Sequence, residues 1–96
     1  MTNQDLQIIH NTPEKRFEVR VDGWLCRLDY ELHGDVLHLV HTQVPAAVEG
    51  RGIAAALAKE ALGWALQTGF KIHPRCGYIK SYVKRHPQWG DLMVGD

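Results

Sequence analysis

The sequence predicts an α+β domain with a mixed sheet, in which an antiparallel meander of strands leads into a βαβ unit and a C-terminal helix. Two patterns support this class. Apolar and charged residues alternate along 17–21 and 24–32, which is the period of strands with one wet face. Apolar residues then recur at helical spacing from about 51 to 68, and a short strand at 70–73 separates this helix from a second one at about 78–86.

The first half of the chain is predicted to be a meander because turn residues separate its strands. A first strand is expected near 6–10. Asp22 and Gly23 form a favourable two-residue hairpin turn, and His33-Gly34-Asp35 makes the next turn before a strand at 36–44. Consecutive strands joined by such short turns pair antiparallel.

The second half is predicted to contain a right-handed βαβ unit. Gly69 is placed to cap the long helix in a left-handed conformation, and Pro87 ends the second helix. The strands on either side of the long helix, 36–44 and 70–73, are expected to be parallel, because the helix makes a crossover between them. The long helix then begins at the carboxyl edge of the sheet.

The length and composition of the chain argue against several classes of protein. The chain has 96 residues, which suits one domain (1–96) with one core. Lys plus Arg and Asp plus Glu number 11 each, so no large net field favours nucleic acid or an anionic membrane. No apolar stretch approaches the ~20 residues of a membrane span, and the first residues lack the pattern of a secretion signal. We expect a cytoplasmic protein with both cysteines as thiols.

The segment EGRGIAAAL, residues 49–57, places Gly50 and Gly52 directly before the long helix. The first N–H groups of a helix have no intrahelical acceptors, and glycines without side chains let a phosphate approach them closely. A glycine pair at this place is also compatible with a plain tight turn. The segment therefore has two interpretations, a phosphate loop or a turn.

Four motifs, HTQVP, GRGIA, HPRCGYIKSYVKRHP and DLM, follow one another between residues 41 and 93. Together they resemble the GCN5-related N-acetyltransferases, in particular the short, single-domain YjdJ-type branch, and the resemblance extends from about residue 15 to 93. The phosphate loop of that superfamily reads [Gln or Arg]-x-x-Gly-x-[Gly or Ala]. Gly52 and Ala54 fill the last two marked positions, whereas Glu49 departs from the first. The resemblance implies the acyl-CoA N-acyltransferase fold and acetyl-CoA as cosubstrate.

The resemblance also implies where acetyl-CoA would lie. In that superfamily the strand before the phosphate loop separates from its parallel neighbour, and Pro45, which cannot donate a ladder hydrogen bond, suits such an opening. The backbone at Gln43 and Val44 would face the pantetheine and the thioester. Further residues implied in binding are Gly50, Arg51, Gly52, Ile53, Ala54, Ala55, Tyr82, Lys84 and Arg85. For the basic residues, a solvated face is an open alternative.

Three residues are candidates for catalysis. Cys76 follows the second parallel strand, where the thioester would arrive. Either its thiolate takes the acetyl group, or the amine attacks directly and Cys76 only packs. His41, near the end of the strand that would line the cleft, is the candidate base, with a structural histidine as the alternative. Tyr78 is the candidate proton donor to the departing CoA thiolate, as in many relatives, and is also compatible with the core.

The leading hypothesis is therefore an acetyl-CoA-dependent N-acetyltransferase. Its acceptor would be a protein lysine, a protein N-terminus or a small amine. The alternative is a non-catalytic acyl-CoA-binding or adaptor module with the same fold. The six histidines show no paired metal-ligand spacing, so no metal site is expected.

Overall fold

The computed structural model describes residues 6–94. Within them, five strands form one sheet whose spatial order follows the chain. The strands are β1 (Ile9–Asn11), β2 (Arg16–Val21), β3 (Trp24–His33), β4 (Val36–Gln43) and β5 (Lys71–Pro74). Neighbours from β1 to β4 pair antiparallel, and β4 pairs with β5 in parallel. The predicted α+β class with a mixed sheet is confirmed.

Two α-helices and two 3-10 helices accompany the sheet in the described part of the chain. They are a 3-10 helix (Ala46–Val48), α1 (Ile53–Thr68), α2 (Gly77–Arg85) and a second 3-10 helix (Pro87–Leu92). α1 begins at Ile53 and not at 51, because Gly52 has the left-handed φ of 77°, which lies outside a helix. Gly69, with φ 88°, caps the other end as predicted. Neither α-helix has the length and apolar character needed to cross a membrane.

The Asp22-Gly23 hairpin turn is confirmed. Asp22 has φ 52° and Gly23 has φ 83°, so both central residues are left-handed, as a type I′ turn requires. This turn sets the register of β2 and β3, in which Val21 lies opposite Trp24.

The position predicted for the first strand, 6–10, is wrong by a few residues, since β1 covers Ile9–Asn11. The Lys15 N–H donates to the Thr12 carbonyl at 3.1 Å, and this tight turn determines where pairing with β2 begins. Leu6 and Ile8 lie against the core and not in a strand. Their hydrophobic character is explained by this packing against the core and not by pairing in a strand.

One hydrophobic core lies between α1 and the facing side of the sheet. Alternate residues of β2, β3 and β4 are buried there, which confirms the predicted strand periodicity. Cys26 is 0% exposed and belongs to this core. The opposite side of the sheet carries partly exposed polar and charged residues. Among the largest fully buried side chains are Phe17, Leu28, Leu37, Leu39, Ile53, Leu57, Leu62, Ile72 and Ile79.

Candidate active site

β4 and β5 separate beyond a short paired region. Pairing ends at Leu39 and Pro74, while β4 continues to Gln43 beside β3. The N–H groups of Arg75 and Cys76 both donate to the Leu39 carbonyl at 3.0 Å, which turns the chain away from β4. The last part of β4 therefore borders an opening on the side of β5, which is the separation that the resemblance implied.

A bulge in β4 determines which side chains reach this opening. Adjacent residues of β3 lie opposite His41 and Leu39, so Val40 is an extra residue in β4. Strict alternation from Leu39 would turn His41 toward α1. Because of the bulge, Thr42 faces α1 and α2 instead, and His41 is exposed on the other side of the sheet.

The glycine pair forms the entrance of α1. Gly50 and Gly52 have φ 82° and 77°, a region that side chains with a Cβ rarely occupy. The first helical hydrogen bond here runs from the Ala56 N–H to the Gly52 carbonyl at 3.1 Å, so the preceding amides have no acceptor within α1. No side chain caps this end, and the first turn contains no acidic residue. The positive end of the helix dipole is thus available to an anion.

An ion pair connects this loop to the β2–β3 hairpin. Arg51 Nη1 lies 2.9 Å from Asp22 Oδ2, and both side chains are well exposed. The loop therefore presents its backbone to the cleft while the Arg51 side chain is directed to the neighbouring turn. Such an exposed pair contributes at most about 1 kcal/mol.

A cleft of about 390 Å³ opens beside this loop. It brings together residues from β4, the loop, α1 and α2, which are Thr42, Val44, Glu49, Gly50, Gly52, Ile53, Ala54, Ala55 and Tyr78. Most of the predicted loop residues therefore line one cavity. Gln43 and His41 are exposed and are not among the lining residues.

Cys76 is the N-cap residue of α2 and is not among the residues that line the cleft, but it contacts Thr42, which does line it. Its Sγ is 3.5 Å from Thr42 Oγ1, and as a thiol it donates to that oxygen. Burial raises the pKa of Cys76, but hydrogen bonds from Thr42 and from the first amides of α2, those of Ile79 and Tyr78, outweigh burial and lower the pKa below its ordinary value. These hydrogen bonds thus stabilise the thiolate of Cys76 relative to that of an ordinary cysteine.

The tyrosines of α2 have different environments. Tyr78 lines the cleft, and burial raises its pKa while the nearby Arg85 opposes that shift, so the phenol is protonated at neutral pH. Tyr82 is 5% exposed, packs against the core, and has its ring 4.3 Å from that of His86. Lys84 and Arg85 are exposed in the last turn of α2.

Thr42 is the functional candidate that sequence reasoning missed. Its place in the HTQVP motif marks the segment, but the bulge that turns its hydroxyl toward Cys76 leaves no periodic signal in the sequence. Across residues 6–94, no group of three His, Cys, Asp or Glu side chains is arranged to hold a metal ion.

Comparison with known proteins agrees with this architecture. The NMR solution structure of a GCN5-like protein from Staphylococcus aureus has a TM-score of 0.76 to this chain, at 22% identity, and covers 97% of this chain and 92% of its own. The fold is thus that of the GCN5-like N-acetyltransferases.

The sequence comparisons define the family. The sequence model of the GCN5-related N-acetyltransferase family matches residues 16–92, and the chain belongs to that family. Protein NATD1 of Gallus gallus is 42% identical over 85% of this chain and 77% of its own length. Protein NATD1 of Homo sapiens is 41% identical over 85% of this chain and 75% of its own length. Protein NATD1 of Danio rerio is 37% identical over 93% of this chain and 86% of its own length.

Proposed function

We propose that the protein binds acetyl-CoA in the cleft and transfers the acetyl group to an amine. The observation that carries the proposal is that one cleft combines unpaired helix amides, two left-handed glycines and a neighbouring thiol of lowered pKa. Membership of the GCN5-related N-acetyltransferases supports the same chemistry.

The backbone from Gly50 to Ala55 would bind the pyrophosphate through its N–H groups. The free edge of β4 at Gln43 and Val44 would pair with the amide groups of pantetheine. Lys84 and Arg85 would neutralise the phosphates of the nucleotide from the surface of α2. Tyr82, which is buried, would act indirectly by holding α2 in place.

Cys76 is proposed as the nucleophile. Its thiolate attacks the thioester carbonyl, the bond from that carbon to the CoA sulfur breaks, and the sulfur leaves with the proton of the Tyr78 hydroxyl. The amine then attacks the acetyl group on Cys76, whose sulfur leaves as a thiolate. Tyr78 regains its proton from solvent.

His41 is proposed as the base that takes the proton of the amine. It is exposed on the side of the sheet away from α1, in the strand that borders the opening. An acceptor approaching from that side would meet His41, while acetyl-CoA occupies the side of α1. This arrangement gives the two substrates separate routes to the opening.

Intact-mass spectrometry after incubation with acetyl-CoA alone tests the nucleophile. We expect the wild-type protein to gain the mass of one acetyl group, and Cys76→Ser to gain none, because a hydroxyl is a far weaker nucleophile at neutral pH. Cys26→Ala is the matched control and should be acetylated like the wild type, since Cys26 is buried in the core. A fully active Cys76→Ser protein would leave direct transfer as the mechanism.

Turnover with an amine tests His41. His41→Gln should keep its affinity for CoA, because the side chain lies outside the cleft, but should lose turnover most strongly at neutral pH. Unchanged turnover and pH profile would make His41 structural. Acetyl-CoA binding without transfer to Cys76 or to any amine would identify an acyl-CoA-binding module instead.

A further inference from the structure

A second cleft, of about 480 Å³, lies between α1 and the β1–β2 edge of the sheet. It shares no lining residue with the candidate active site. From the strand side it is lined by Leu6, His10 and Phe17, and from α1 by Glu60, Gly63 and Trp64, among others. None of these residues has a role in the proposed acetyl transfer.

The floor of this second cleft is aromatic and held rigidly. The His10 ring stacks on Phe17 with centroids 4.1 Å apart and planes 13° apart, and the Trp64 ring meets His10 edge-on at 4.4 Å. A 2.7 Å hydrogen bond joins His10 Nε2 to the Tyr30 hydroxyl. Burial lowers the pKa of His10, with Glu60 opposing that shift, so the ring is neutral at pH 7.

Gly63 indicates that the space is kept open. It lies in the interior of α1, where glycine is less favourable than alanine by roughly 0.5–1 kcal/mol. A Cβ at this position would meet no atom within 4 Å, and the backbone does not have a positive φ. Neither packing nor conformation within the described chain requires glycine here, so its effect is to leave the cleft deeper.

The rim carries two exposed charges of opposite sign, Lys59 and Glu60. Of these two, the Glu60 carboxylate is the one that acts electrostatically on His10 at the floor. Electron-rich ring faces attract cations, most strongly where water is displaced. We propose that this second cleft binds an alkylammonium cation, with the alkyl groups against the aromatic floor and the Glu60 carboxylate as the counter-charge.

Choline and 3,3-dimethylbutan-1-ol test the proposal, because the second compound has the same shape with carbon in place of the charged nitrogen. Each is titrated into the whole protein while the Trp64 indole N–H is followed by NMR. We expect saturable shifts of that resonance, with choline bound at least about tenfold more tightly than the neutral compound. Equal affinity, or shifts at Trp24 or Trp89 instead of Trp64, would overturn the proposal.

Variants on α1 test separately how the charge of Glu60 and the shape of the second cleft contribute to choline binding. Glu60→Gln should bring the affinity for choline down to that of the neutral compound. Lys59→Gln, which removes a cation from the same rim, is the matched control and should not weaken choline binding. Gly63→Leu should fill the cleft and abolish binding, with circular dichroism confirming that it folds. An unchanged choline affinity in Glu60→Gln would refute the assigned counter-charge and with it the proposal.

Discussion

At the scale of single residues, the contact between Cys76 and Thr42 distinguishes Cys76 from an ordinary buried cysteine. A cysteine this close to the core is expected to have a raised pKa, since burial disfavours the thiolate. The Thr42 hydroxyl and the first amides of α2 reverse that expectation. Cys76 is thus a candidate nucleophile because of its partners, whereas Cys26, with burial as the cause of its raised pKa, is inert.

Thr42→Val should raise the pKa of Cys76 and slow its alkylation by iodoacetamide at pH 7 by roughly fivefold, the effect of one hydrogen bond worth ~1 kcal/mol. Valine keeps the shape of threonine and removes only the hydroxyl. The pH dependence of alkylation, followed by mass spectrometry, measures the pKa directly. Thr42→Ser retains a hydroxyl and should react like the wild type, and an unchanged rate in Thr42→Val would assign the lowered pKa to the backbone groups of Thr42 and of the first turn of α2.

At the scale of elements, the N-terminus of α1 lacks the side chains that usually stabilise the start of a helix. An ordinary start has a capping side chain or an acidic residue, and α1 has neither in the described structure. Its entrance is made by left-handed glycines, which leave the first amides exposed to the cleft. This end of the helix is therefore open to an anion.

Gly52→Val should abolish CoA binding in isothermal titration calorimetry. The substitution places a branched side chain at φ 77°, which costs about 1–3 kcal/mol of stability, and puts methyl groups where the phosphate would lie. Gly34→Val is the matched control, because Gly34 has φ 63° in the β3–β4 turn, away from the cleft. It should lose similar stability and keep its CoA affinity. A folded Gly52→Val protein with normal affinity would exclude the loop as the phosphate site.

At the scale of the whole molecule, the sheet has two different sides. The side under α1 holds the core and both clefts, and the other side carries exposed charged residues and histidines. His38 lies on that second side beside His33 and His73, with ring centroids 4.6 and 4.9 Å away. Burial, then these two histidines and Arg75, lower the pKa of His38, against a smaller opposing effect of Glu31.

Two histidines on opposite sides of the sheet therefore make stability pH-dependent. His10 and His38 both have folded-state pKa values below the ordinary 6.5, so the unfolded chain binds protons first. Stability should be full above pH 6.5 and should fall as the pH is lowered through that value toward the folded pKa values. The lowered pKa values of Glu18 and Glu31 act in a separate window below 4.5.

Urea unfolding between pH 7.5 and 5 measures this dependence. His10→Gln and His38→Gln should each flatten it, because glutamine does not titrate, and the double variant should flatten it most. Identical slopes in the wild type and the double variant would show that other groups control stability in this range.

Local patterns in the sequence were sufficient for most of the fold. Alternation predicted β2 and β3, Asp22-Gly23 predicted a two-residue hairpin turn, and Gly69 predicted the end of α1. Each of these patterns depends only on residues close together in the sequence, so it can be recognised without knowing the tertiary structure. The phosphate-loop segment was found in the same way, since its glycines precede a helix that follows a strand.

By itself, the sequence determined the order of the elements, the α+β class and the residues from which a site would be built. Only the tertiary structure decided which of them meet. The bulge at Val40 exchanges the sides of His41 and Thr42, and the bond between Thr42 and Cys76 joins residues 34 positions apart. The second cleft likewise combines β1, β2 and α1. Such contacts depend on strand register and on packing between distant segments, which hydrophobic periodicity within one element does not encode.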